Sequence, residues 1–132
     1  MVASVHLMSS DGDDVILTPN STGNIEITSD YDGWTIVGAS AASSIVPTTG
    51  ANVVIDAGVS VSADGWRMGS SSSPITVTNN GTLTLVNSDT INSGSKVVVG
   101  DGGTLVLSGY ATTTSGLLDA DFSHLRQFQV IL

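Results

Sequence analysis

The sequence predicts an all-β chain, wound as a short single-stranded parallel β-solenoid (β-helix) of about five turns with capping termini. Three observations predict it. Apolar residues alternate with hydroxyl-bearing ones at period two, and no apolar stripe of period 3.6 runs for long. β-Branched residues dominate residues 1–116, which also hold all 15 glycines, a composition that disfavours helix. Above all, the segment PITVTNNGTLTLVNSDTINSGSKVVVGDGGTLVLSG at 74–109 states one pattern twice. Ile75, Val77, Leu83 and Leu85 return at a constant interval of 22 as Val97, Val99, Leu105 and Leu107. An antiparallel β-sandwich or jelly roll is the alternative, with TNNGT at 78–82 as a hairpin turn between 75–77 and 83–85. It explains each strand pair but not the constant interval.

The elements follow in chain order. Residues 1–14 form an N-terminal cap, in which Val5 and Leu7 alternate. Residues 15–116 supply the turns, beginning with VIL at 15–17 and passing by steps of 19 to WTI at 34–36 and VVI at 53–55. Steps of 22 then lead to ITV at 75–77 and VVV at 97–99. The first and third residue of each triplet share a face, so the inward set is Val15, Leu17, Trp34, Ile36, Val53, Ile55, Ile75, Val77, Val97 and Val99. Val61 precedes Leu83 by the same step, and Gly58, Asn80 and Gly102 mark equivalent bends, where such residues tolerate positive φ. Stacked at roughly 4.8 Å per turn, such copies bury between them a face that none can bury alone. Residues 117–132, LLDADFSHLRQFQVIL, lack the Thr/Ser/Gly texture. Leu118, Phe122 and Leu125 fall at helical spacing, and Phe128, Val130 and Leu132 alternate like a strand. A short helix or turn leading into a terminal strand is expected, as a C-terminal cap or a docking arm. The whole is one domain, as a length of 132 residues suggests.

Composition narrows the partners. Twelve acidic residues face three cations, Arg67, Lys96 and Arg126, and the net charge of −9 repels phosphate, so neither nucleic acid nor an anionic membrane is expected as a partner. The uncharged windows 33–55 and 68–88 are broken by Gly, Pro and hydroxyls, unlike membrane spans. MVASVHLMSSDGDD has neither a basic nor an apolar leader region, so manufacture in the cytoplasm without a signal peptide is expected. Cysteine is absent, which removes disulfides, thiolate metal sites and thiol nucleophiles.

No enzyme is expected. Asp56, Asp64, Asp89 and Asp101 lie near bends, where Asp serves as a turn residue, and Asp56 and Asp101 do not share the repeat step. His6 and His124 lie in the terminal segments, away from any strained G-x-S-x-G turn. GDGG at 100–103 has neither a following helix nor a Lys-Ser/Thr pair to bind phosphate. DGDD at 11–14 offers hard oxygen ligands but not the spacing of a calcium loop, so a solvated acidic turn is expected there. The expectation is no catalytic residue, no cofactor and no metal.

The outer surface remains. The outward column reads Ile16, Thr35, Val54, Thr76 and Val98, continued by Thr82, Thr84 and Val106 on the second strand. Aliphatic and threonine residues stand where a solitary repeat protein carries charge, which points to burial against partners. The docking candidates are Val54, Val98, Val106, Phe122, Leu125, Phe128, Val130 and Leu132. TVT at 76–78 and TLT at 82–84 also resemble the threonine ladders of ice-binding solenoids, over two turns only.

NNGTLTLVNS and GDGGTLVLSG are similar to the strand repeats of autotransporter passenger domains and related adhesins, over 74–109 and loosely over 53–65. As a whole, the short Ser/Thr/Gly-rich chain resembles small bacteriophage virion proteins of the tail-fibre, tailspike and capsid-decorating kinds. The resemblance implies a non-enzymatic structural protein of the virion. A decoration (cement) protein that bridges coat subunits, acting as a homo-oligomer, is expected first. A carbohydrate- or surface-binding adhesin or tail-fibre module is the alternative.

Overall fold

The computed structural model describes residues 4–37, 52–69, 74–86 and 89–108 in full, and the backbone alone of 113–114, 117–120 and 127–131. The chain is all-β, with no α-helix among the described residues. The first two strands, β1 (Val5–Met8) and β2 (Asp14–Leu17), form an antiparallel hairpin, and β3 (Asn24–Ile27) follows. A 3₁₀ turn at Ser29–Tyr31, capped by the Thr28 hydroxyl, leads to β4 (Thr35–Val37). The remaining strands are β5 (Asn52–Ile55), β6 (Ser60–Asp64), β7 (Arg67–Met68), β8 (Thr76–Asn79), β9 (Thr82–Val86), β10 (Thr90–Ile91), β11 (Lys96–Val99), β12 (Thr104–Ser108), β13 (Thr113–Thr114), β14 (Leu117–Ala120) and β15 (Gln127–Ile131).

They sort into three sheets. Sheet A runs β15-β12-β9-β6-β4-β1-β2, sheet B runs β14-β11-β8-β5-β3, and sheet C runs β13-β10-β7. From β5 onward the chain visits B, A and C in rotation, and every neighbour in this region pairs in parallel. The hairpin of the sandwich alternative is absent: β8 and β9 lie in different sheets and do not pair. Antiparallel pairing is confined to β1, with β2 on one side and β4 on the other.

The expected ladder holds on adjacent strands, with a corrected register. In sheet A the interval of 22 is kept, with Val61, Leu83 and Leu105 in register on β6, β9 and β12. In sheet B, Val53 pairs with Val77 at an interval of 24, and Val77 pairs with Val97 at an interval of 20. The cause is the corner between the sheets. Residues 56–59 and 100–103 make four-residue corners, whereas 80–81 make a two-residue one. The short corner removes two residues after β8, and the next turn restores them. Each long corner is a β-turn closed by the N–H of its fourth residue onto the carbonyl of its first, with positive φ at Gly58 and Gly102. Asn80 is therefore not their equivalent; its N–H bonds Ile55 O just as the Asp56 N–H bonds Ile27 O.

Further back, the expected steps of 19 fail. Val53 and Ile55 stand in register with the earlier Ile25 and Ile27 of β3, an interval of 28, and Ile36 with the later Ala63 of β6, an interval of 27. Val15 and Leu17 are no rung of the parallel ladder, since β2 runs antiparallel to β1. Together with Trp34 they are only partly buried, packing against the core from its margin. The helical spacing at 118–125 is also overridden where the backbone is described, because Leu117–Ala120 pairs in parallel with β11. Phe122, Leu125 and Leu132 lie outside the described residues.

The core fills the space between the sheets. Ile25, Ile27, Val53, Ile55 and Val77 from sheet B meet Leu7, Ile36, Val61, Leu83 and Leu85 from sheet A, with Trp66, Met68 and Ile91 at the third side. Because both corrections of register in sheet B are even, the inward set survives them: a slip of two residues leaves every side chain on its original face.

Candidate docking surface

The outer faces of sheets A and B carry hydroxyl, aliphatic, amide and charged side chains in rows set by register. On sheet A, Ser60, Thr82 and Thr104 form one row; Thr35, Ser62, Thr84 and Val106 form the next. Their strands alternate buried with half-buried or exposed positions, which places these rows outside. Adjacent members of a row are roughly 4.8 Å apart, the spacing of paired strands. Six hydroxyls thus form a two-row array on a sheet whose next row, Val37, Asp64, Val86 and Ser108, supplies a single charge.

On sheet B, one row is Asn24, Asn52, Thr76 and Lys96, and the other is Glu26, Val54, Thr78 and Val98. The single outward column expected from the sequence is therefore two surfaces. Val54 and Val98 come together, half-buried, on either side of Thr78. Val106 lies on the other sheet, beside Thr84. Phe128 and Val130 take the register positions of Leu105 and Leu107, as the last strand of sheet A. TVT at 76–78 and TLT at 82–84 fall on different sheets, and the outward neighbours of TLT are Ser60, Ser62, Thr104 and Val106.

The carboxylates divide by environment. In the 11–14 turn the Ser9 hydroxyl accepts from the N–H groups of Asp11 and Asp13, leaving both side chains exposed. Asp14 lies 3.2 Å from His6 Nε2. Glu26 is held above the ordinary carboxylate range by a hydrogen bond shared with Asp56 and by the negative charge of that neighbour. Among the described residues no three of His, Asp and Glu gather closely enough to hold a metal ion.

Asp89 is not the exposed turn residue that its place in the sequence suggests. It is fully buried, and its Oδ1 accepts the Trp66 N–H at 2.9 Å. Burial pushes its carboxyl up to about 7; the backbone N–H groups of Trp66, Val86 and Gly65 pull it down and the charge of Asp64 adds to the rise. Its Oδ2 and the neighbouring Trp66 Nε1 are both buried without a hydrogen-bond partner in the protein. The Trp66–Asp89 interval of 23 is that of sheet C, whose strands are two residues long and too short to leave a periodic signal. The buried Asn79 likewise takes an inward position between Ile55 and Val99, and its Nδ2 donates to Thr104 O at 2.8 Å, tying one turn to the next.

No protein family, curated protein or solved structure matches this chain.

Proposed function

We propose that the chain is a short parallel β-solenoid with a structural role: a virion decoration (cement) subunit, non-enzymatic, that bridges neighbouring coat subunits and acts as a homo-oligomer. The observation that carries this reading is the uncharged stretch on each ordered outer face of a chain with net charge −9: the hydroxyl rows of sheet A from Thr35 to Val106, and Val54, Thr78 and Val98 on sheet B, between Glu26 and the register position of Asp119. Val54, Thr78 and Val98 on sheet B and the hydroxyl rows of sheet A are held in place by paired backbone and carry no charge. Such surfaces lose little entropy on docking and leave few charges to desolvate. Binding to the assembled shell, and not to free coat protein, would stabilise the shell by mass action.

The test is co-sedimentation with purified coat shells. Wild-type protein is expected to pellet with shells and raise their resistance to heat. The double variant Val54→Asp/Val98→Asp is expected to keep its far-UV spectrum and lose binding at least tenfold, as buried unpaired charges at an interface do. Retained shell binding by the folded double variant removes the sheet B surface from the reading.

The two-row hydroxyl array of sheet A favours a second reading, a carbohydrate- or surface-binding module, since Ser60, Ser62, Thr82, Thr84 and Thr104 present donors and acceptors at regular intervals. Isolated protein that binds glycans and ignores shells selects it.

A further inference from the structure

We propose that the edge of β2, unpaired among the described residues, is a strand-docking site that takes an extended, lysine- or arginine-bearing segment of a partner protein. β2 is the outermost strand of sheet A and pairs with β1 in unbroken antiparallel register from Asp14 to Leu17. The Ser9 N–H bonds Asp13 O at 2.8 Å, which sets the phase of the ladder. By the alternation of antiparallel pairs, Val15 and Leu17 exchange bonds with Leu7 and Val5. The N–H and C=O groups of Asp14 and Ile16 consequently face away from the sheet.

Asp14–Leu17 holds no lysine and no proline, and its pairing shows no bulge; what guards this short edge is negative charge, Asp14 with Asp11 and Asp13 beside it, which repels an acidic strand and attracts a basic one. Ile16 is 61% exposed, the one large apolar side chain so placed among the described residues. An added strand would satisfy the backbone of Asp14 and Ile16 and cover the Ile16 side chain in one step.

Charge selects the occupant. Asp11, Asp13 and Asp14 are exposed at the end of β2 where the hairpin turns, and among the described residues the only basic side chain within ion-pair distance of them is the His6 imidazole, 3.2 Å from Asp14. A second copy would add a further net charge of −9 to the complex. A strand with lysine or arginine near that turn and an aliphatic residue beside Ile16 complements it instead. The site is independent of the reading above: a chain that docks such a strand but ignores coat shells loses only its decoration role.

The test titrates the ¹⁵N-labelled full chain with an alternating Val/Thr octapeptide bearing lysine at both ends, and with its glutamate counterpart. The lysine peptide is expected to shift the amides of residues 14–17 and to slow exchange of the Asp14 and Ile16 N–H groups by about tenfold at saturation. Added salt should weaken it, and the glutamate peptide should leave those amides unmoved. Ile16→Pro, which removes the edge donor, should abolish the effect. Ile16→Lys, which keeps the donor and adds a like charge to the edge, should weaken it, so that a misfolded proline variant does not decide the matter. Equal binding of the two peptides, protection at β3 or β14 in place of β2, no change at millimolar peptide, or dimerisation through β2 without peptide would each overturn the proposal.

Discussion

A carboxyl group that keeps its proton to near neutral pH makes folding pH-dependent in a definite direction. Asp89 is raised from 3.8 to about 7 in the folded chain. Below the unfolded value both states are protonated and pH has no effect. Between the two values the unfolded chain releases the proton while the folded chain retains it, so stability falls as pH rises. Above the folded value the loss is complete, about 4 kcal/mol for a shift of some three pH units. Urea midpoints at pH 5 and pH 8 should therefore show wild-type protein weaker at the higher pH. Asp89→Asn keeps an acceptor for the Trp66 N–H and cannot ionise, so its two midpoints should nearly coincide. Glu26, raised by its contact with Asp56, acts in the same direction but is exposed and screened. Steric demand at one atom is as specific. A Cβ on Gly81 would collide with the backbone oxygens of Val59 and Asp56, atoms that belong to the preceding corner and cannot swing aside. Gly81→Ala should lower stability by about 2–3 kcal/mol, whereas Gly12→Ala, with open space around its Cβ, meets only the strain of its positive φ. Thermal unfolding of the two variants separates the steric effect from the conformational one.

The strands that form the ladder were legible because their signal is parity. Val53, Ile55, Val77, Val97 and Val99 alternate with polar neighbours or outward valines, and all are buried. A corner of two residues in place of four changes the register and preserves parity, so the faces could be read from the sequence while the exact partners could not. Gly58 and Gly102 marked long corners. Asn80 looked like their equivalent because sheet A keeps the interval of 22, which puts all three two residues before the in-register Ser60, Thr82 and Thr104; the register of sheet B instead aligns Asn80 with Asp56. β3 escaped notice because the interval from Ile25 to Val53 exceeds the repeat, and β2 looked like a rung because a single triplet carries no direction. The parity argument makes a quantitative contrast between two valines in one strand of sheet B. Val53→Ala opens a void between packed neighbours and should lower stability by about 2 kcal/mol or more. Val54→Ala, one residue on and half-buried on the outer face, should change it by no more than about 0.5 kcal/mol. Comparable urea midpoints for both variants would mean that the outer face is packed as tightly as the inner one.

Within each sheet a strand pairs only with the strand before it and the strand after it, so the pairing energetics run nearly in one dimension. The middle turn, β8, β9 and β10, is paired on both sides in all three sheets, with β5, β6 and β7 below and β11, β12 and β13 above. The first strands are not: among the described residues β3 has one partner, β5, and β2 has one partner, β1. Charge reinforces the gradient, because the acidic residues Asp11, Asp13 and Asp14 crowd the β2 end while 68–88 carries none. Local opening should therefore start at the β2 and β3 end and reach the middle turn last. Native-state hydrogen exchange tests this. Amides of Val77, Thr84 and Leu85 should exchange only through global unfolding, with protection that falls steeply as urea is added. Amides of Val15, Leu17 and Ile27 should exchange through small openings that urea hardly affects. Salt should narrow the difference by screening the acidic end, since Asp11 and Asp13 are solvent-exposed. Uniform protection from β2 to β12 would mean instead that the turns open as one unit, and that the antiparallel β1–β2 hairpin closes its end of the stack as firmly as a further rung would.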